Sequence, residues 1–251
     1  MPTRRATIIR LFTDQNLFIG ETITLTGSDA HRVKNVLKLG IDSPVSLFNS
    51  HGIEYAGKVI HNKQYRIEVL LSHEITRDSE PVLDIELVQC ISKGQRMDYT
   101  VQKATELGIS RIIPVISGRT VVRLNRHRAE KKVRHWQEIA RHATEQSGRT
   151  KIPQVGDVLL LQEWLTRLSK KKTLAKNIVV LQAGGIPLKS MALKTGAITL
   201  VIGPEGGFEP NELSILRQHG GIISSLGSRT LRTETASICA LSVIQTLWGD
   251  F

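Results

Sequence analysis

An apolar run, Ile198–Ile202, leads directly into Gly203-Pro204-Glu205-Gly206-Gly207. Glycine tolerates positive φ and lets a ligand approach the main chain, so such a loop at a strand end is suited to holding a small molecule by backbone groups. A second run, Ile222–Leu226, ends in Gly227-Ser228 and continues as Arg229-Thr230-Leu231-Arg232-Thr233-Glu234-Thr235-Ala236. A third, Ile178–Gln182, precedes Ala183-Gly184-Gly185. Ligands of open parallel sheets bind beyond the carboxyl ends of the strands, so the three loops can share one crevice. The same glycines also suit tight turns with no ligand. Glu205 suits a turn or helix start, and Thr233-Glu234 suits the first turn of a helix, where an acceptor and a negative charge are favourable.

Several commoner chemistries are excluded by what the chain lacks. It contains no GxxxxGK[ST], which argues against a P-loop NTPase, and no GxGxxG after a strand, which argues against a dinucleotide fold. The eight histidines show no HExxH or paired-ligand spacing, so no metal is expected. The two cysteines, Cys90 and Cys239, stand in separate apolar stretches and read as buried, reduced thiols. No apolar run approaches the roughly 18 residues of a membrane span. Arg10 and Asp14 interrupt the apolar start, so no secretory signal is expected and a cytoplasmic location is.

Charge points toward a polyanion. Lys and Arg number 34 against 23 Asp and Glu, a net charge of +11, and nucleic acid is the commonest polyanion in a cell. Arg119, Arg123, Arg126, Arg128, Lys131, Lys132 and Arg134 form the densest basic stretch, suited to neutralising phosphates. Lys170-Lys171-Lys172 reads as a solvated loop. Aromatic residues make up only 4% of the chain, so shape and phosphate contacts, rather than stacking, should dominate binding.

The elements that must position these residues fall into two regions. Thr7–Phe12, Phe18–Leu25, Val45–Asn49, Ile53–Ile60 and Tyr65–Leu71 read as short strands of a small β-barrel-like domain, with one helix capped by Ser28 and ended by Gly40. The polar stretch Thr76–Pro81 suits a linker, placing one domain at 1–75 and the other at 76–251. Beyond it, Leu83–Ile91, Arg111–Ile116 and the three runs above alternate with helical periods, as buried parallel strands of an α/β domain do. Met97, Val101, Ala104 and Leu107 line one helix, and Val133, Trp136, Ile139, Ala140 and Ala143 another. Pro210 opens a helix to about Gln218, and a last helix carries Ala236, Cys239, Ala240, Val243, Ile244 and Leu247 on one face.

Gly203-Pro-Glu-Gly-Gly-Phe208 with Glu212-Leu213, and Leu226–Ala236 after it, resemble the C-terminal signature of the bacterial 16S rRNA (uracil-N3) methyltransferase family. Lys93-Gly-Gln-Arg-Met-Asp98, Gln102-Lys-Ala-Thr-Glu-Leu-Gly108, Glu145-Gln-Ser-Gly-Arg149, Arg10-Leu-Phe12 and His31…Val36-Leu37 are similar to its other motifs, in order along the chain. Lys38, Asp42-Ser43 and Thr230 depart from the family pattern, which has Arg, Gly-Asp and Ile there.

The resemblance implies a SPOUT α/β knot with an N-terminal PUA-like β-barrel, a homodimer, S-adenosylmethionine as cofactor and ribosomal RNA as partner, methylated at uracil N3 in the decoding region. It implies a cofactor site of Leu181, Ile202, Gly203, Pro204, Glu205, Gly206, Gly207, Leu226, Gly227, Leu231, Thr235 and Ala236. Uracil N3 carries a proton, so a group must favour its loss. Arg232 is expected to stabilise the charge left on O2 or O4, with Glu234 as base or orienting group. Arg10, Lys93, Arg96 and Arg149, within motifs, join Arg119 and Arg123 as expected RNA contacts. Two rivals stand beside this reading: a ribose 2′-O methyltransferase of the same superfamily, and a non-catalytic rRNA-binding or ribosome-assembly protein.

Overall fold

The computed structural model describes residues 8–49, 51–63, 65–170, 177–192 and 196–251. Met1–Thr7 and Lys171–Lys172, on which parts of the expectations above fall, lie outside the described residues. The chain divides into two units: residues up to Glu80 together with Thr144–Lys151, and Pro81–Ala143 together with Ile152–Phe251. The boundary thus falls a few residues after the one expected at 75/76, and the first unit also takes in a segment from mid-chain.

The first unit is a curled five-stranded sheet. Strands β1 (Ile9–Phe12), β2 (Thr22–Thr26), β3 (Pro44–Phe48), β4 (Glu54–Lys63) and β5 (Arg66–Ile75) take the order β1-β3-β4-β5-β2. All pairings are antiparallel except β1 with β3. Alternate residues such as Leu11, Ile23, Leu25, Val45, Leu47, Ile67, Val69 and Leu71 face one core, as the period of two demands. The strand expected from Phe18 begins only at Thr22, because Phe18–Glu21 form a turn with Gly20 at φ 84°. The expected helix is a short α1 (Gly27–His31) followed by a π turn (Arg32–Val36), and its N-cap is Thr26 rather than Ser28.

The stretch 76–80 has no regular structure, yet its polar side chains are anchored within this unit. Arg77 binds Glu54, Ser79 donates to the Gly148 carbonyl at 2.7 Å, and Glu80 accepts from the Thr150 and Lys151 backbones and from Arg149.

The second unit is a three-layer α/β arrangement. Its parallel sheet takes the order β12-β10-β11-β6-β7-β8, with β9 also on β7. The strands are β6 (Asp84–Cys90), β7 (Arg111–Ile116), β8 (Gln154–Val155), β9 (Leu159–Leu160), β10 (Ile178–Pro187), β11 (Ala197–Ile202) and β12 (Ile222–Ser225). Successive strand residues face opposite cores. Ile85, Leu87, Ile198 and Leu200 pack with Met97, Val101 and Ala104 of α2 (Arg96–Glu106), Trp136 and Ala140 of α3 (Arg126–Ser147) and Leu241 and Ile244 of α6 (Thr233–Trp248). Val88, Cys90, Val180 and Val201 pack with Trp164 and Leu165 of α4 (Leu161–Lys170) and Leu216 of α5 (Pro210–Gln218). The near-continuous apolar runs follow from this burial on both faces. Helix α4 and the two-residue strands β8 and β9 are additions to the sequence reading.

One glycine segment reads differently in three dimensions. Ala183-Gly184-Gly185, expected as a loop, lies inside β10, which continues to Pro187 with a bulge between Leu181 and Ile186 on β12. Ser224 and Ser225 donate to the carbonyls of Ile186 and Gly185 at 2.9 Å each. A Cβ at Gly185 would stand 2.7 Å from the Ile223 carbonyl oxygen, so the bulge requires glycine there.

Candidate active site

The bulge of β10 at Leu181–Ala183 and the carboxyl ends of β11 and β12 open into one crevice of about 280 Å³. Leu181, Ile202, Gly203, Pro204, Glu205, Gly206, Gly207, Leu226, Gly227, Leu231 and Ala236 line it, so eleven of the residues expected to hold a cofactor come together. Thr235 does not join them; it is exposed on the first turn of α6. Gln182, Ala183, Ser225, Arg229, Thr230 and Thr233 complete the lining. The glycine-rich strand ends signalled the place but not these side chains.

The first loop is held from several sides. The N–H of Gly207 donates to the Pro204 carbonyl at 2.9 Å, closing a turn with Gly207 at φ 68°. The Phe208 ring packs against Gly203, where a Cβ would be 3.2 Å from it. Pro210 then starts α5 behind a capping box, in which the side chains of Glu209 and Glu212 each accept the other's backbone N–H. Glu212 also accepts the Gly118 N–H at 2.8 Å, and Arg119 donates through Nη1 to the Gly206 carbonyl at 2.9 Å. The Ser117–Thr120 turn after β7 is therefore fastened to the loop.

Glu205 faces the Lys93–Arg96 turn. Its Oε1 accepts from the Lys93 backbone at 3.3 Å and from Arg96 Nη1 at 2.8 Å. Burial alone would raise its pKa, but its own N–H, the Lys93 N–H and the Arg96 guanidinium outweigh that and hold the carboxyl below its usual range. Arg96 also stands 3.9 Å, through Nε, from Glu234 Oε1. The same guanidinium thus lies between two carboxylates at the rim.

Arg232 takes the N-cap position of α6 with an extended backbone, its side chain exposed. Glu234 follows in the first turn; its Oε2 is buried and lacks a hydrogen-bond partner among the described residues. Neither lines the crevice, but Leu231, Thr233 and Ala236, which do, interleave with them.

The basic residues separate into two groups. Lys93, Arg119 and Arg123 are exposed, and so are Arg126, Arg128, Lys131 and Arg134 on α3. Arg10 and Arg149 are buried in the first unit. Arg10 donates twice to Glu54 from Nε, once from Nη2 at 2.8 Å, and to the carbonyls of Thr144, Glu145 and Arg149. Arg149 pairs with Glu80 at 3.0 Å. The RNA-contact role expected for these two is thereby replaced by an internal one, because their guanidinium groups are already engaged inside the fold. Glu54 carries the balancing charge: burial would raise its pKa, yet hydrogen bonds from Arg10, Arg77 and Ser46 lower it overall.

No group of three or more His, Cys, Asp or Glu side chains among the described residues is arranged to hold a metal ion. Cys90 is buried with its thiol pushed up to about 12 by burial, so it stays protonated and is no nucleophile. No described helix is long and apolar enough to cross a membrane.

Residues 78–245 match the model of the RNA methyltransferase domain family. The chain belongs to that family. Its relatives include the ribosomal RNA small subunit methyltransferase E of Buchnera aphidicola, 30% identical over 97% of this chain and 98% of the relative. That of Bacillus subtilis is also 30% identical, over 92% and 93%. Among solved structures, methyltransferase E of Neisseria gonorrhoeae bound to S-adenosyl methionine is 36% identical, with a TM-score of 0.89 over 97% of this chain and 99% of that one. A Legionella pneumophila protein in complex with the bound cofactor SAM is 31% identical, with a TM-score of 0.91 over 98% and 100%. The α/β architecture of this RNA methyltransferase, parallel sheet and curled sheet together, matches theirs.

Proposed function

We propose that this methyltransferase transfers a methyl group from S-adenosylmethionine to N3 of a uridine in the decoding region of small-subunit (16S) ribosomal RNA, with the crevice at β10–β12 as its cofactor site. The observation that carries the reading is the convergence of the Gly203–Gly207 loop and the Leu226–Ala236 segment on one crevice, in a chain 36% identical to a relative bound to S-adenosyl methionine.

The residues fit that cofactor. Leu181, Ile202, Leu226, Leu231 and Ala236 offer apolar walls to an adenosine, and main-chain groups of Gly203, Leu226 and Leu231 would meet its polar edge. A Cβ at Gly227 would meet no protein atom within 4 Å, so the backbone there stays open to a ligand. When bound, the cofactor supplies an electrophilic methyl group on a sulfonium. The chain's part is alignment and exclusion of water, which supply most of the help in an in-line displacement.

Arg232, exposed beside the crevice, stabilises the negative charge left on a uracil oxygen once N3 loses its proton. Glu234, with one carboxylate oxygen lacking a partner, is the acceptor for that proton or the group that orients the base. Lys93, Arg96, Arg119 and Arg123 form the RNA-binding rim, and the exposed cations of α3 extend it. The reading also takes the second unit as a SPOUT knot, the first as a PUA-like barrel, and the active form as a cytoplasmic homodimer, all on the strength of the family motifs.

The test is mass spectrometry of nucleosides from small-subunit RNA treated with the protein and isotopically labelled cofactor. Labelled 3-methyluridine is expected. Labelled 2′-O-methylribose without it would favour the rival superfamily chemistry, and no label at all would favour a non-catalytic binding protein.

A further inference from the structure

Gln89 stands in the middle of the parallel sheet, level with Ile202 of β11 on one side and Pro114 of β7 on the other, and is fully buried. An amide in an apolar sheet is costly unless each polar atom finds a partner. Its Nε2 donates to the Cys90 carbonyl and to Thr233 Oγ1, both at 3.0 Å, and its Oε1 accepts from Ser237 Oγ at 2.6 Å. Thr233 Oγ1 in turn donates to the Gly203 carbonyl at 2.8 Å.

The proton order in this chain is forced. The Gly203 carbonyl can only accept, so the single hydroxyl proton of Thr233 is used there. Thr233 must then accept from the Gln89 amide nitrogen, which turns the amide oxygen toward Ser237. The order Gln89→Thr233→Gly203 is therefore fixed, and with the Cys90 carbonyl accepting from the same nitrogen it permits one amide orientation; the Ser237 hydroxyl divides its single proton between Gln89 Oε1 and the Thr233 carbonyl at 2.9 Å. Thr233 and Ser237, one turn apart on α6, are 4% and 0% exposed, so water does not compete for these groups.

Gly203 and Thr233 belong to the two halves of the crevice. Gly203 opens the glycine loop, while Thr233 is the first residue of α6, between Arg232 and Glu234. Gln89 itself does not line the crevice. We infer that Gln89 is a positioning residue for methyl transfer: by fixing Thr233 against the Gly203 carbonyl, it sets the glycine loop and the Arg232–Glu234 turn in one register before cofactor or RNA arrives. This rests on the reading of the crevice as the cofactor site. A preset site avoids the ordering cost that binding would otherwise carry.

The test uses the full chain, with S-adenosylmethionine affinity by calorimetry and steady-state methylation of small-subunit RNA. Gln89→Glu keeps the shape but puts an acceptor where the amide donates, so Thr233 must choose between it and Gly203. A rise of about tenfold or more in cofactor Kd and a lower kcat, at unchanged KM for RNA, are expected. Thr233→Val should do the same, while Thr233→Ser, which keeps the hydroxyl, should restore values near wild type. Gln89→Met combined with Thr233→Val should be no worse than either alone, since both cut one chain.

A folded Gln89→Glu or Gln89→Met protein with wild-type Kd and kcat would overturn the inference, as would effects that multiply. Should the Gln89 variants not fold, Thr233→Val against Thr233→Ser decides: a tenfold gap supports it and equality overturns it. Leu226→Arg, which fills the crevice, separates the two ideas. If that protein binds the cofactor normally, the crevice reading fails; if it loses binding while the Gln89 variants keep it, only the positioning role fails.

Discussion

The arginines of the first unit and those around the crevice were both expected to serve the nucleic acid or its reaction, yet they live in opposite environments. Arg10 is 8% exposed and its guanidinium serves Glu54 and three backbone carbonyls. Arg119 is exposed and spends a single hydrogen bond on Gly206, and Arg232 is exposed at a helix start. The first kind holds a buried charge cluster together; the second is left free to meet an anion. A motif arginine is therefore evidence of constraint, and its burial decides whether the constraint is architecture or chemistry.

The sharpest way to break this contrast is at its buried pole. Arg10→Met leaves Glu54 buried and short of its main partner, and losing one member of such a pair costs about 3–5 kcal/mol. Chemical denaturation followed by a probe in the first unit should show that loss, whereas Arg119→Ala should leave stability nearly unchanged. Equal stability of both variants would erase the distinction. Next in size, Arg232→Ala should lower kcat by about 100-fold with cofactor Kd unchanged, the usual effect of removing a donor from a developing negative charge. Single-turnover methylation and calorimetry on the same protein check the two halves of that statement.

The basic face of α3 carries the next largest effect. Replacing Arg126, Arg128 and Lys131 with Ala should weaken RNA binding and reduce the slope of log K against log salt by about 2–3, at roughly 0.7–0.9 per phosphate contact. A salt titration of RNA affinity measures it, and an unchanged slope would remove this face from the interface. The smallest effect is on pH. The pKa values of Glu54 and Glu205 are depressed in the folded protein, so their contributions are fully present above the ordinary value of 4.5 and fade as pH falls through the lower folded values. Acid titration of unfolding should show a loss that Glu54→Gln removes. For the partly exposed Glu205–Arg96 pair, the loss should stay under about 1 kcal/mol.

The same contrast explains what could be read from residues alone. Strands β6, β7 and β11 were legible because burial on both faces writes continuous apolar runs, and α5 because Pro210 marks its start. The crevice followed, since glycines at strand ends mark backbone left open to a ligand. Exposure was not legible: nothing local distinguishes Arg10 from Arg119, because the partners of Arg10 lie 44 to 139 positions away. Thr233 was legible as a helix start, but its link to Gln89, and that of Gln89 to Ser237, was unreadable for the same reason, being made across 144 and 148 positions. The continuation of β10 through Ala183-Gly184-Gly185 depends on β12 beside it, which local turn chemistry cannot register.

The most direct test is a crystal structure of this protein with S-adenosylmethionine. The cofactor is expected between Gly203–Gly207 and Leu226–Ala236, walled by Leu181 and Leu231, with Gln89 still donating to Thr233 and Thr233 to the Gly203 carbonyl. Cofactor bound elsewhere, for example in the cavity beside Ser92, Asp98 and Trp136, would contradict it.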